Sequence, residues 1–304
     1  MKLSVIIPCL NGEATLAVQL EALAKQQWSE PWELIFADNG STDNSVNIAH
    51  AYKDRFPFFQ VIDASQKIRQ SHALNEGVKA ANADCVAFCD ADDEVAPGWL
   101  AAIGSALREN DVVHGQFHFD KFNGPKEAEL AAKGWKNGLY KRQFLPGGGA
   151  GNLGIKRWVH DTIGGFDEKI PRFEDSDYYW KLQLEGFKLH YAPEAIVQVR
   201  LGRVQPSLSS LYRRGRTGTA GKCWLYKRYR HLGMLPNPPF KQAVANWVRS
   251  IRQGIAGLLV NRRRGERWMQ QFALKTGELV GEVQGRMMTP CKPYIPKKNQ
   301  TDRR

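Results

Sequence analysis

Short apolar runs recur along the first 120 residues, and each stops at a cluster of polar residues. This pattern predicts strands at 3–7, 33–37, 58–62, 84–89 and 112–119. Between the first two, Leu16, Leu20, Leu23 and Ala24 recur at helical spacing, and Ala73, Leu74, Val78 and Ala81 do the same before the fourth. A βαβαβαβ alternation is the signature of a parallel sheet with crossover helices. The expected fold class is α/β, with a mostly parallel sheet flanked by helices.

Beyond residue 120 the pattern changes twice. Residues 120–150 hold Gly124-Pro125, Gly134, Gly138 and Pro146-Gly147-Gly148-Gly149, and read as a loop-rich linker. A second ordered part follows over 152–199. After Pro206 the chain becomes Arg-rich and helical, broken at Pro236, Pro238 and Pro239. The expected division is therefore 1–205, split at 119/120, followed by a basic helical extension over 206–304.

Charge sharpens this division. From Arg200 onward there are 23 Lys and Arg against 4 Asp and Glu, whereas residues 1–199 carry 20 against 27. Such asymmetry points to an anionic partner, either a membrane surface or a nucleic acid. No stretch approaches the ~20 apolar residues that cross a bilayer, and the apolar stretch at 3–7 is too short for a signal peptide. The chain is expected to begin at Met1 as it stands. Five scattered cysteines suggest a reducing compartment rather than disulfides or zinc, so a cytoplasmic location is expected.

The candidate chemistry lies where strands end, because open α/β sheets bind ligands beyond the carboxyl ends of their strands. Residues 85–95 read CVAFCDADDEV: an apolar strand runs into Asp90, Asp92, Asp93 and Glu94 with no Lys or Arg among them. An Asp-x-Asp pair at such a place offers oxygen ligands to Mg²⁺ or Mn²⁺. The competing reading is a cap on a helix starting near Pro97. A calcium-binding EF-hand is excluded, since its sixth position needs Gly and here holds Val95. Gly149-Ala150-Gly151-Asn152-Leu153-Gly154 matches the dinucleotide fingerprint, but it follows a Pro-Gly-rich loop instead of a first strand and reads as a tight turn near a ligand. A second acidic cluster, Phe173-Glu174-Asp175-Ser176-Asp177, suits a general base or the start of a helix. The seven histidines form no metal-ligand spacing.

The ordered set SVIIPCLNGEATL, FADNGSTDNSV, HALNEGVKAANADCVAFCDADDEVAPGWL and IGGFDEKIPRFEDSDYYWKLQLEGFKLHYAPEA resembles glycosyltransferase family 2, with its GT-A fold, over roughly residues 3–200. The resemblance implies inverting transfer of a sugar from a nucleotide-sugar donor to an acceptor hydroxyl, in glycan or cell-surface polysaccharide biosynthesis. It implies a Rossmann-like donor half (1–119) and an acceptor half (120–205). Carried onto this chain, donor contacts fall on Pro8, Asn11, Glu13, Asp38, Asn75 and Asp90. Asp92, with Asp90, would hold a divalent metal, Mn²⁺ or Mg²⁺, and Asp175, or else Glu174, corresponds to the base.

The chain also departs from that family. It lacks the Gln-x-x-Arg-Trp motif and membrane spans of processive synthases, which favours single addition. The strand AIVQVRLGR lacks the late His that often serves as a metal ligand, Asn39 stands where a second Asp is common, and Leu74 where Arg is common. An alternative from another class is an inactive nucleotide-binding scaffold with a nucleic-acid-binding tail. A nucleic acid is disfavoured, since the tail has no zinc-finger or helix-turn-helix signature. In the tail, Val244, Trp247, Ile251, Ile255 and Leu258 form a helical apolar stripe with Arg249, Arg252 and Arg262 to Arg264 beside or just after it. The stripe suits either an anionic membrane interface near a glycan or lipid-linked acceptor or packing on the protein or on a second subunit.

Overall fold

The computed structural model describes residues 2–141, 143–202, 207–258, 262–288 and 291–297, with the side chains of 141, 254–258 and 262–265 outside the description. The chain forms two compact units. One comprises Met1–Glu168 and Asp175–Leu201, and the other comprises Lys169–Glu174 and Gly202–Arg304.

In the first unit, β1 (Leu3–Cys9), α1 (Leu16–Ala24), β2 (Trp32–Asp38), α2 (Ser45–Ala51), β3 (Phe59–Asp63), α3 (Gln70–Ala80) and β4 (Cys85–Cys89) follow the expected alternation. They are followed by β5 (Glu94–Val95), α4 (Trp99–Glu109) and β6 (Val112–His118). β1 is buried along its whole length because both faces of the sheet are covered. Leu3, Val5 and Ile7 point to the layer holding α1 and α4, and Ile6 points to the layer holding α3. This is the two-residue period of a strand read from both sides.

The linker reading of 120–150 is corrected. That stretch contains α5 (Pro125–Ala132) and a small antiparallel sheet of β7 (Trp135–Lys136), β8 (Leu139–Lys141) and β9 (Pro146–Gly147). Asn137 and Gly138, both at positive φ (50° and 68°), close the β7–β8 hairpin. Two such residues form the turn whose twist matches the flanking strands.

The chain then enters β10 (Asn152–Lys156), followed by α6 (Arg157–Ile163), α7 (Glu174–Leu184) and β11 (His190–Gln198). The main sheet has the order β3-β2-β1-β4-β10-β6-β11-β5, in which β10 and β5 run against the rest. The tight turn expected at 149–154 is only half correct, because Asn152, Leu153 and Gly154 lie in a buried strand between β4 and β6. Asn152 fixes this strand: its Oδ1 accepts from Trp99 Nε1 at 2.8 Å, and its Nδ2 donates to the carbonyls of Gln116 (3.0 Å) and Ala195 (2.9 Å).

The second unit contains α8 (Leu208–Tyr229), α9 (Phe240–Leu258) and α10 (Arg262–Met287). α8 and α10 approach closely: a Cβ on Gly277 or Gly281 would collide with the carbonyl oxygens of Tyr212 or Arg216. The described part of the tail's apolar stripe is used in packing. Trp247 is half-buried and donates from Nε1 to Thr276 Oγ1 at 3.1 Å, and Trp268 of α10 donates to the Ser250 carbonyl at 2.6 Å. The side chains of Ile255, Leu258 and Arg262 to Arg264 lie outside the described residues. Among the described residues, no helix is long and apolar enough to cross a membrane.

Candidate active site

The carboxyl ends of β1, β2 and β4 meet at a cleft of about 450 Å³. Pro8, Asn11, Asp90 and Asp92 line it, together with Gly12, Asn39, Arg69 and Gln70. Strand register explains the convergence, since Cys9 pairs with Asp38 and Ile6 with Phe88.

The loops after β1 and β2 are interleaved by hydrogen bonds. Asn11 takes a left-handed backbone (φ 55°), which Asn tolerates better than most residues. Its N–H donates to Ser41 Oγ at 3.0 Å, and its Oδ1 accepts from Thr42 N–H at 2.8 Å. Gly12 N–H donates to Ser45 Oγ, and Glu13 N–H to Asp43 Oδ2. The Glu13 carboxylate accepts from Asn44 N–H at 3.3 Å, and Asp38 closes its own turn by accepting from Gly40 and Ser41 N–H groups. Asn39 explains a departure noted above: its Nδ2 donates to the carbonyls of Ala64 (2.6 Å) and Lys67 (2.8 Å), bonds that an Asp there has no proton to make.

Asn75 is not brought into this cleft. Both ends of its amide bind Phe166 backbone, with Nδ2 also donating to Glu168 Oε1 at 3.1 Å, so it ties α3 to the loop before residue 168.

At the end of β4, one oxygen from each of Asp90, Asp92 and Asp93 lies within 4.8 Å of the others. The helix-cap reading fails for these acids. The N-cap of α4 is Gly98 with no side-chain bond, and Leu100 N–H is taken by Gln26 Oε1 at 3.1 Å. Asp93 is buried, and burial, then the neighbouring Asp90 charge, pushes its carboxyl up to about 8. Arg200 provides local compensation: its N–H donates to Asp93 Oδ1 at 2.8 Å and its Nε to the Asp92 carbonyl at 3.1 Å. Clustered hard oxygen donors whose charges repel fit a hard divalent cation.

Gln19 was not legible as a site residue. It is fully buried on α1, donates from Nε2 to the Asp90 carbonyl and accepts at Oε1 from Val95 N–H, each at 2.9 Å. The available signal was a polar residue on the Leu16–Leu20–Leu23 stripe. Gln70 Nε2 donates to Asp90 Oδ1 at 2.7 Å from the start of α3.

The second acidic cluster opens α7, as its helix-start reading anticipates. Asp175 is half-buried, and Asp177 is buried with Lys181 as its ion-pair partner at 3.4 Å. One turn below Asp175, the Tyr179 hydroxyl is held well above its ordinary range by burial and then by the Asp175 charge. A glycine loop joins this region to Asp90. A Cβ on Gly148 would strike the Tyr179 hydroxyl, and one on Gly151 the Asp90 carboxylate. Three residue steps separate these glycines, at most about 11 Å of chain.

Residues 4–166 match the model of Glycosyl transferase family 2. The uncharacterized glycosyltransferase YwdF of Bacillus subtilis is 28% identical over 187 residues, covering 59% of this chain and 67% of that protein. The uncharacterized glycosyltransferase YibD of Escherichia coli is 37% identical over 119 residues, 39% of this chain and only 34% of the relative's length. Among solved structures, the mannosyltransferase PcManGT from Pyrobaculum calidifontis, in complex with GDP-Man and Mn²⁺, superposes with a TM-score of 0.58 at 16% identity, over 94% of this chain and 87% of that one. TarS 1–349 of S. aureus, in complex with UDP-GlcNAc, gives 0.53 at 16% identity, over 94% and 92%. These likenesses are of fold, and the fold is GT-A. With more than half of its length matched by the family model, this chain belongs to glycosyltransferase family 2.

Proposed function

We propose that the chain transfers a sugar from a nucleotide-sugar donor to an acceptor hydroxyl, with inversion at the anomeric carbon, in glycan biosynthesis. The observation that carries this reading is the Asp90–Asp92–Asp93 cluster at the mouth of a strand-end cleft, joined by a short glycine loop to the helix bearing Asp175.

The nucleotide lies in the cleft between the loops after β1 and β2; Pro8 and Asn11 line it, while the Asp38 and Glu13 carboxylates accept from N–H groups of the loop after β2 and hold that loop for the base. Asp92, with Asp90, would hold a divalent cation, Mn²⁺ or Mg²⁺, which when bound neutralises charge on the departing nucleoside diphosphate. Gln19 and Gln70 keep Asp90 in place for this. Asp175 takes the proton from the acceptor hydroxyl as its oxygen attacks the anomeric carbon from the face opposite the diphosphate. The new glycosidic C–O bond forms as the bond to the diphosphate oxygen breaks, and that electron pair leaves with the nucleotide. Glu174 is the second candidate for the base. PcManGT and TarS, solved with GDP-Man and UDP-GlcNAc, support a nucleotide sugar as donor.

The basic tail favours an acceptor near an anionic surface. Arg213, Arg214 and Lys222 of α8 are exposed, and each such charge near an anionic leaflet is worth about 1 kcal/mol.

A thermal-shift panel of UDP, GDP, dTDP and CMP nucleotides, with and without Mn²⁺, tests the reading. A Mn²⁺-dependent rise with one nucleoside diphosphate is expected, and no response to any of them would overturn it.

A further inference from the structure

Arg200 follows β11 and stands at the same corner as Asp92 and Asp93, all within the first unit. Its backbone is pinned over three successive residues. Val199 N–H donates to the His118 carbonyl at 2.7 Å, Arg200 N–H to Asp93 Oδ1 at 2.8 Å, and Leu201 N–H to Asn123 Oδ1 at 2.9 Å. Asn123 Nδ2 also donates to the Val199 carbonyl at 2.8 Å, so the loop after β6 is tied to the segment after β11.

That loop carries Phe122. The guanidinium carbon of Arg200 lies 3.8 Å from the centre of the Phe122 ring, and stacking of this kind holds the plane of the guanidinium. Nε is spent on the Asp92 carbonyl at 3.1 Å. Its two terminal nitrogens make no hydrogen bond or ion pair among the described residues. The neighbouring cation, Lys121, is paired with Glu94 Oε1 at 2.5 Å. Arg200 is thus fixed by its ring face and by one nitrogen, beside a residue that lines the cleft, with a fork of N–H donors left for an oxyanion.

We propose that Arg200 is a further catalytic residue, whose terminal nitrogens hydrogen-bond the diphosphate of the donor and stabilise it as a leaving group. The inference rests on reading the cleft as a nucleotide-sugar site. A divalent cation held by Asp90 and Asp92 would have its charge offset by the two carboxylates, so a departing diphosphate needs positive charge from elsewhere. As the bond between the anomeric carbon and the phosphate oxygen breaks, its electron pair stays on that oxygen, and Arg200 donates to the growing charge. No proton is transferred to the phosphate, because a guanidinium does not give up its charge in proteins.

Arg200→Met in the full chain removes the fork, keeps an unbranched apolar side chain against Phe122 and leaves the backbone bond to Asp93 in place. Parent and variant are titrated with Mn²⁺ alone, then in saturating Mn²⁺ with UDP, GDP and dTDP and the matching monophosphates. For the diphosphate that binds the parent, affinity is expected to fall about 10- to 100-fold in the variant, while affinity for its monophosphate stays near the parent's. Mn²⁺ alone should bind the variant as tightly as the parent or more tightly, since a positive neighbour of the aspartates is gone. If Arg200 merely held the aspartates in place, affinity for Mn²⁺ and for the diphosphate would fall together, and that result overturns the proposal. Unchanged diphosphate affinity does so as well.

The same titrations separate this inference from the reading beneath it. A parent that binds no Mn²⁺, yet loses diphosphate affinity on Arg200→Met, refutes the metal and keeps the arginine. A parent that binds Mn²⁺, and whose variant binds the diphosphate equally well, refutes the arginine and keeps the metal.

Discussion

Gln19 donates from Nε2 to the main-chain carbonyl of Asp90 at 2.9 Å, from a side chain with no exposed surface. With its Oε1 on Val95 N–H, it spans the acidic loop like a brace. Replacing it by Leu strands two buried backbone groups at about 1–3 kcal/mol each. Gln19→Leu should therefore lower unfolding stability in urea by about 2–6 kcal/mol and weaken Mn²⁺-dependent nucleotide binding. Unchanged stability would show that the brace carries no load.

Asp92 is exposed, so its removal should leave the fold intact. Asp92→Ala is expected to abolish the Mn²⁺-dependent part of nucleoside diphosphate binding in a calorimetric titration. Parent-like affinity in Mn²⁺ would remove Asp92 from the metal site.

For Asp175→Asn, turnover should fall by about 10²-fold or more, the size of general-base help, with donor affinity nearly unchanged. A parallel loss of binding and turnover would identify Asp175 as a structural start to α7 instead.

Glu168 gives a pH signature. Burial alone would raise its carboxyl, but hydrogen bonds from Lys67, Asn75 and His72 outweigh it and hold the group down at about 2. An acid with a depressed native pKa contributes stability that is full above its unfolded value, near 4.5, and lost as pH falls toward 2. Glu168→Gln should melt below the parent at pH 7, with the gap closing between pH 4.5 and 2. A gap independent of pH would refute the assignment.

The tail predicts salt-sensitive association with lipid. The full chain should co-sediment with vesicles rich in anionic lipid at low salt and release at high salt, because exposed charges are screened over about 10 Å at 0.1 M. Association with neutral vesicles of equal strength would point away from charge.

The strands β1 to β4 were legible because each is a short apolar run closed by turn residues, and Asp90 and Asp92 because charge at such an end is conspicuous. β10 was not legible. Its sequence Asn152–Lys156 has no clean alternation, and its partners lie some 40 to 70 residues upstream. The Asn137–Gly138 hairpin carried its own signal, masked by the density of Gly and Pro around it. An amide on a helix face states its hydrogen-bonding capacity and not which neighbours take it up, and Asn75 spends its amide on Phe166 and Glu168. Gln19 was hidden for the same reason.

The insertion of β10 bears on how the chain acquires its structure during synthesis. β4 and β6 are complete by residue 118, yet they do not pair with each other; both wait for residues 152–156. Until that stretch leaves the ribosome, the nascent sheet has an open apolar edge at β4, the kind of edge that invites pairing with another chain. Taken alone, the donor half leaves β4 without a neighbour on one side, and the glycine loop with β10 behind it supplies that neighbour.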